Sequence, residues 1–295
     1  MKHEKFFRNS PVFTSRDFGK YLSSHNVSKR TQESLLSYYR KIGRIVRVKR
    51  GLYATIPVGF DNETFIVDPY LLASKITPDA VLSHHTALEF FGYAYSVRNI
   101  FTYFASRPVE TLVFQGHTIK GTRFPKSLLG KGKELFEVRI EEREGMDLRV
   151  TSLERTLVDT LDRPELSGSW EEIWRSLESV EFFDLDKVIE YLQLLKNSTT
   201  AAKVGFFLEQ HREELMVEDH YLKELKDLCP RNPHYLSRTR RESGRIITDW
   251  NLVVPQEVLD RSWEEARVTP KQNSAAGENL NCKIWVFMVI CCILK

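Results

Sequence analysis

Between Val27 and Ile56 the apolar positions change period. Val27, Thr31, Leu35, Tyr38, Tyr39 and Ile42 recur at helical spacing, which predicts a helix with one apolar face. Ser28 suits the start of that helix, because its hydroxyl can accept from an orphan backbone N–H. Gly43 suits its end, where a left-handed residue is needed and a Cβ would be strained. From Ile45 the pattern becomes that of strands: Ile45, Val46 and Val48, then a turn at Lys49-Arg50-Gly51, then Leu52 to Ile56 returning.

Upstream, Phe6 and Phe7 mark a short helix within residues 1–9. Thr14-Ser15-Arg16-Asp17 is a capping-box pattern with Asp in place of Glu, followed by Phe18, Tyr21 and Leu22 on one face. The polar stretch Ser23 to Asn26 is the turn between two short helices, the core of a helix-turn-helix. A basic hairpin after the second helix completes the outline of a winged helix. These elements make up a first domain over residues 1–58. Pro57 to Asn62 reads as a linker.

A larger mixed α+β domain is expected over residues 63–265. Asp68-Pro69 opens a helix whose buried side is Leu71, Leu72 and Ile76. Ser83 is the expected cap of another, running to Gly92. Extended runs at 100–104, 111–114, 117–120, 135–140 and 148–150 predict a small, mostly antiparallel sheet, with a hairpin turn at Gln115-Gly116. Capping boxes beginning at Thr151 and Ser169, and Asp184 as a cap, start a helical remainder. Residues 246–254 are expected to close as one strand. Strands followed by helices give α+β for this domain.

Charge sharpens the division. Net charge is only +3 and charged residues make up 28% of the chain. Residues 1–58 nevertheless hold thirteen Lys or Arg against three acids, a balance of +10 that leaves −7 for the rest. A basic end on an acidic body is suited to meeting a polyanion. The four cysteines show no zinc spacing and no secretory leader precedes them, so a cytoplasmic protein without disulfides is expected. The tail at 268–295 changes character. Its apolar run, Ile284 to Leu294, is short of the ~20 residues a membrane helix needs, and the abrupt change in composition favours a non-native extension over an anchor or a packing segment.

The expected DNA-contacting residues are Ser28, Lys29, Arg30 and Gln32 at the start of the second helix, Arg40 near its end, and Arg47, Lys49 and Arg50 on the wing. Long donors at a helix start suit base edges in the major groove, while a wing tip lies closer to the backbone. His84-His85 has no further ligands at useful spacing and reads as a packed or surface pair. Arg155 and Asp159, four apart, are placed to pair with each other. No metal, cofactor or catalytic residue is expected. Glu137-Val138-Arg139 lacks the Lys of a nuclease element, and Gly130-Lys131-Gly132-Lys133 lacks the upstream Gly of a phosphate loop. An unrecognised nuclease in the second domain is an alternative.

The segments Phe13 to Asp17, Leu35 to Gly43 and Ile45 to Tyr53 resemble the winged helix of the AbiEi family of antitoxin-like transcriptional regulators. Leu82 to Gly92 and Val150 to Asp159 resemble two further signature helices, so the resemblance spans about residues 10–255. It implies a repressor that binds inverted repeats in its own promoter as double-stranded DNA. It also implies an antitoxin that counters a nucleotidyltransferase-like toxin without forming a stable complex with it; a part for Arg155 and Asp159 in neutralising that toxin, and a plain regulator without a toxin, are the alternatives it leaves.

Overall fold

A computed structural model of the chain describes residues 3–23, 27–237 and 244–263. The tail lies outside these, as does the Ser23–Asn26 turn beyond its first residue. The first unit consists of α1 (Glu4–Arg8), β1 (Val12–Thr14), α2 (Ser15–Ser23), α3 (Lys29–Lys41), β2 (Ile45–Lys49) and β3 (Leu52–Thr55). The capping box closes α2 reciprocally: Asp17 N–H donates to Thr14 Oγ1 at 3.1 Å, and Thr14 N–H donates to Asp17 Oδ2 at 2.9 Å. Ser28 caps α3 by accepting from Thr31 N–H at 3.2 Å. Gly43 and Gly51 take φ of +71° and +81°, the left-handed geometry that the helix end and the hairpin turn require. The buried side of α3 differs from the expected stripe. Leu36 and Tyr39 are buried, whereas Tyr38 is 54% exposed and Ile42 41%. Helix α2 meets α3 along the row containing Gln32, so the buried row lies to one side of Tyr38 and Ile42.

The three strands pair antiparallel in the order β1-β3-β2, and both faces of the sheet are covered. Phe13 and Ile45 face the helices, packing with Phe7, Phe18, Leu22, Leu36 and Tyr39. Val12, Leu52 and Ala54 point the other way, into a core they share with Tyr70, Leu71, Ala73 and Ile76. The exposed stretch from Pro57 to Asn62 lies where a linker is expected, but the units it joins are packed together. Alternation along a strand sends successive side chains to opposite faces, so apolar neighbours such as Val12 and Phe13, or Ile45 and Val46, require cover on both sides.

The second unit begins with α4 (Pro69–Lys75), β4 (Val81–Leu82), α5 (His85–Phe90), β5 (Ile100–Ala105), β6 (Leu112–Phe114), β7 (His117–Arg123), β8 (Val138–Arg143) and β9 (Met146–Thr151). Asp68 caps α4 through Tyr70 and Leu71 N–H, with Pro69 at its first position. The strands form one six-stranded sheet in the order β6-β7-β5-β4-β9-β8. Three of its five pairings are antiparallel, as expected for the greater part, but the sheet is mixed, since β5 runs parallel to β7 and β4 to β9. The central strand β4 is two buried residues, too short to show any period, and both parallel pairs depend on chain crossovers that local pattern does not encode.

Helices α6 (Leu153–Asp162), α7 (Trp170–Glu178), α8 (Leu185–Leu195), α9 (Ser198–Gln210) and α10 (Asp219–Asp227) follow, then β10 (His234–Tyr235), β11 (Gly244–Ile247), β12 (Leu252–Pro255) and α11 (Gln256–Leu259). Ser152, rather than Thr151, caps α6, accepting from Arg155 N–H at 3.3 Å. Residues 246–254 do not form one strand. Trp250 turns inward between β11 and β12, and Asn251 takes φ of +47°. The Trp250 ring fills the space over Gly205 of α9, where a Cβ would lie 2.0 Å from Cζ3. That contact explains a glycine in the middle of a helix.

Candidate nucleic-acid interface

The backbone of Ser15 ties three elements together. Its N–H donates to Gly51 O at 2.8 Å, and its carbonyl accepts from the Gln32 side-chain amide. The start of α2, the first turn of α3 and the β2–β3 turn therefore meet at one place. Ser28, Lys29 and Arg30 are exposed there, as are Arg16 and Arg50. A helix start with its caps satisfied and its long cations turned to water is electrically open to an anion.

The expected contact residues separate into groups. Ser28, Lys29, Arg30 and Arg50 lie on this exposed face. Gln32 points inward instead: its amide is half-buried on Ser15 and packs over Gly19, so it is committed to joining the two helices. Arg40 and Arg47 are exposed at the far end of α3, where with Lys41, Ser37 and Asn62 they border a shallow cleft of about 420 Å³. Lys49 is half-buried rather than at a free wing tip, and burial lowers its pKa against the pull of Glu110 from the second unit. Arg44, part of the same basic run in the sequence, is buried. It ion-pairs with Glu4 and donates to Ile56 O, tying α1 to the end of β3. Arg16 and Lys20, outside the expected set, are exposed on α2. The charge balance of residues 1–58 already included them, but only the fold brings α2 beside the start of α3.

The second unit holds its charge differently. Under the sheet, Arg155 and Asp159 are buried and pair at 3.2 Å. Tyr191 Oη donates to Asp159 Oδ1 at 2.7 Å, and Arg155 Nη1 donates to the carbonyls of Glu134 and Phe136 at 2.8 and 2.6 Å. The guanidinium also lies 5.3 Å from the centroid of the Phe104 ring and 5.1 Å from that of Tyr191. Burial pushes the Asp159 carboxyl up to about 6, against the favourable pull of Arg155 and the Tyr191 hydroxyl.

His84 and His85 are both buried. His84 Nδ1 hydrogen-bonds Ser83 Oγ at 2.9 Å, so Ser83 serves this ring and does not cap α5. Burial, then the Arg163 and Arg155 guanidinium groups, push the His84 pKa down to about 3. His85 Nε2 lies 3.0 Å from Glu172 Oε1. Among the described residues no group of three or more His, Cys, Asp or Glu is arranged to hold a metal ion, and no helix is long and apolar enough to cross a membrane.

The first unit is thus a small assembly of three helices and a three-stranded antiparallel sheet with an exposed cationic face. Residues 4–56 match the family model described as a transcriptional regulator, AbiEi antitoxin. The resemblance seen in the sequence is borne out for this unit, while the motifs around Leu82 and Val150 lie outside the match. No curated protein matches the sequence at a significant level. Among solved structures, the chain is similar in fold to the crystal structure of the RV2827C protein from Mycobacterium tuberculosis. The TM-score is 0.59 at 18% identity, covering 89% of this chain and 93% of that one. This likeness spans both units and speaks for the fold alone.

Proposed function

We propose that the chain is a DNA-binding transcriptional repressor and antitoxin, with residues 1–58 as a winged helix that binds inverted repeats in its own promoter. The observation that carries this reading is the meeting of Lys29, Arg30, Arg16 and Arg50 around Ser15, exposed beside a capped helix start. The AbiEi match over the same residues supports it independently. Arg30 approaches base edges from the first turn of α3, and Arg50 and Arg16 approach phosphates on either side.

The second unit is the antitoxin part, acting without catalysis and without a stable complex against a nucleotidyltransferase-like toxin in the cytoplasm. Its most reactive-looking residues, Ser83 and His84, are buried, which supports a non-catalytic role. Co-expression with the product of the neighbouring reading frame tests the division of labour. A chain carrying Arg30→Ala and Arg50→Ala should lose promoter binding and still restore growth. Loss of rescue in a chain that is folded would overturn the assignment of neutralisation to the second unit.

A further inference from the structure

On the side of α2 that faces the second unit there is a cleft of about 470 Å³. Arg16 and Lys20 of α2 form one wall, and Lys75 at the end of α4 and Arg149 of β9 form the other. Arg149 is steadied by donating to Pro78 O at 3.0 Å. Two acids also border the cleft. Asp17 is engaged by the Thr14 N–H and hydroxyl, and Asp147 lies exposed. Among the described residues neither acid pairs with any of the four cations. A positively charged groove thus runs between the two units, with two of its cations supplied by each.

Its position relative to α3 gives it a role. Gln32 packs the first turn of α3 onto α2 at Ser15 and Gly19, so the α3 start and the cleft flank the same helix. Packed helices lie about 8–10 Å apart. A B-form major groove is about 12 Å wide, so a strand bordering a groove that holds α3 passes over α2. We propose that the cleft receives the phosphodiester backbone of this flanking strand, and that Lys75 and Arg149 of the second unit each neutralise a phosphate there. This rests on the DNA-binding reading above and extends it, making the shared core between the units a device that fixes a two-unit DNA footprint.

The test uses the full chain and a fluorescently labelled mixed-sequence duplex of about 30 base pairs, three helical turns. Binding is measured over a range of salt concentrations for the parent, for Lys75→Gln with Arg149→Gln, and for Lys120→Gln with Lys223→Gln. The last pair removes the same charge from exposed sites, Lys120 being near the opposite edge of the six-stranded sheet and Lys223 on α10. The cleft pair should flatten the dependence of log affinity on log salt by about two, since each phosphate contact contributes about 0.9. The control pair should leave it near the parent value. Should the cleft pair lower the melting temperature, Lys20→Gln with Lys75→Gln reads the same cleft through an exposed lysine on its other wall, with the same expected loss of slope. Equal slopes for cleft and control variants, whether both unchanged or both reduced, would overturn the proposal. A parent that binds no duplex at all would overturn the DNA-binding reading itself, a failure seen before any variant is compared.

Discussion

The first turn of α3 and the layer beneath the second unit's sheet are built from the same kinds of side chain, hydroxyls beside long cations, yet they end in opposite states. Lys29 and Arg30 are exposed, and Ser28 is engaged at the helix cap. Arg155 is buried and has a carboxylate, two carbonyls and three aromatic rings around it. A cation left in water costs little to keep there and remains available to a polyanion. A cation drawn into the interior must be matched by internal partners, and is then unavailable to anything outside. The contrast also runs within the first unit, where Arg44 and Arg47 are three residues apart: Arg44 is buried on Glu4, and Arg47 is exposed. Whether a cation is available to an outside partner therefore follows from what surrounds it rather than from the charge itself.

The largest effect should come from breaking the buried member of the comparison. Arg155→Ala leaves Asp159 buried without its cation, at a cost of about 3–5 kcal/mol. Chemical denaturation should show a chain that is marginally folded at best, and a loss below 1 kcal/mol would mean that the layer is wetter than its burial implies. Replacing both partners by apolar residues, as in Arg155→Met with Asp159→Leu, should recover much of the loss, because no lone charge remains.

His84 sharpens the same point through pH. Its folded pKa is about 3, whereas an unfolded histidine titrates near 6.5. Between these values the unfolded chain binds the extra proton, so this group's contribution falls as pH drops, by about 2 kcal/mol at pH 5. Asp159, raised to about 6, has the opposite sign, since its folded form gains a proton first as pH falls. The parent's total slope sums these and other groups, and the difference between parent and His84→Asn isolates the histidine. That difference should narrow by about 2 kcal/mol between about pH 7 and pH 5. A difference that stays constant would mean that His84 is protonated inside the fold.

Smaller effects belong to the exposed face. Ser28→Ala removes the α3 cap and should cost about 1 kcal/mol in a thermal or denaturant melt. An unchanged melt would mean that the helix start is held by its packing through Gln32 and not by its cap. Arg50→Ala should leave the melt unchanged and reduce the salt slope of DNA binding by about one, equally for promoter and random duplexes. A loss confined to the promoter would move Arg50 from the backbone to a base.

What could be read from the sequence follows from how locally each feature is determined. The caps at Ser28, Asp68 and Asp184, the end at Gly43 and the turn at Gly51 depend on residues within about four positions, and each is where its pattern put it. The short strand β4, its parallel pairing with β9 and the inward turn at Trp250 depend on distant segments, and local periodicity carried no sign of them, although the run at 148–150 did mark β9 itself. The candidate site divides in the same way. Lys29, Arg30 and Arg50 could be named because helix start and hairpin turn are local features. Gln32 is held by Ser15, far along the chain, and Lys49 is half-buried within the electrostatic reach of Glu110, and neither arrangement is encoded locally. Arg16 and Lys20 became visible only when α2 was seen beside α3. Arg44 needed Glu4, forty residues away, before its basic run could be divided into structural and free members.

The most direct measurement pairs Arg30→Ala with Arg44→Ala, reading promoter affinity, random-duplex affinity and melting temperature for each. Arg30→Ala should lose about 1–3 kcal/mol on the promoter, narrow the gap to random DNA, and melt with the parent. Arg44→Ala should melt well below the parent, because it strips the buried Glu4 contact and the bond to Ile56 O. An Arg30 variant that melts early, or one that keeps full discrimination between the two duplexes, would contradict the assignment of the α3 start to reading DNA.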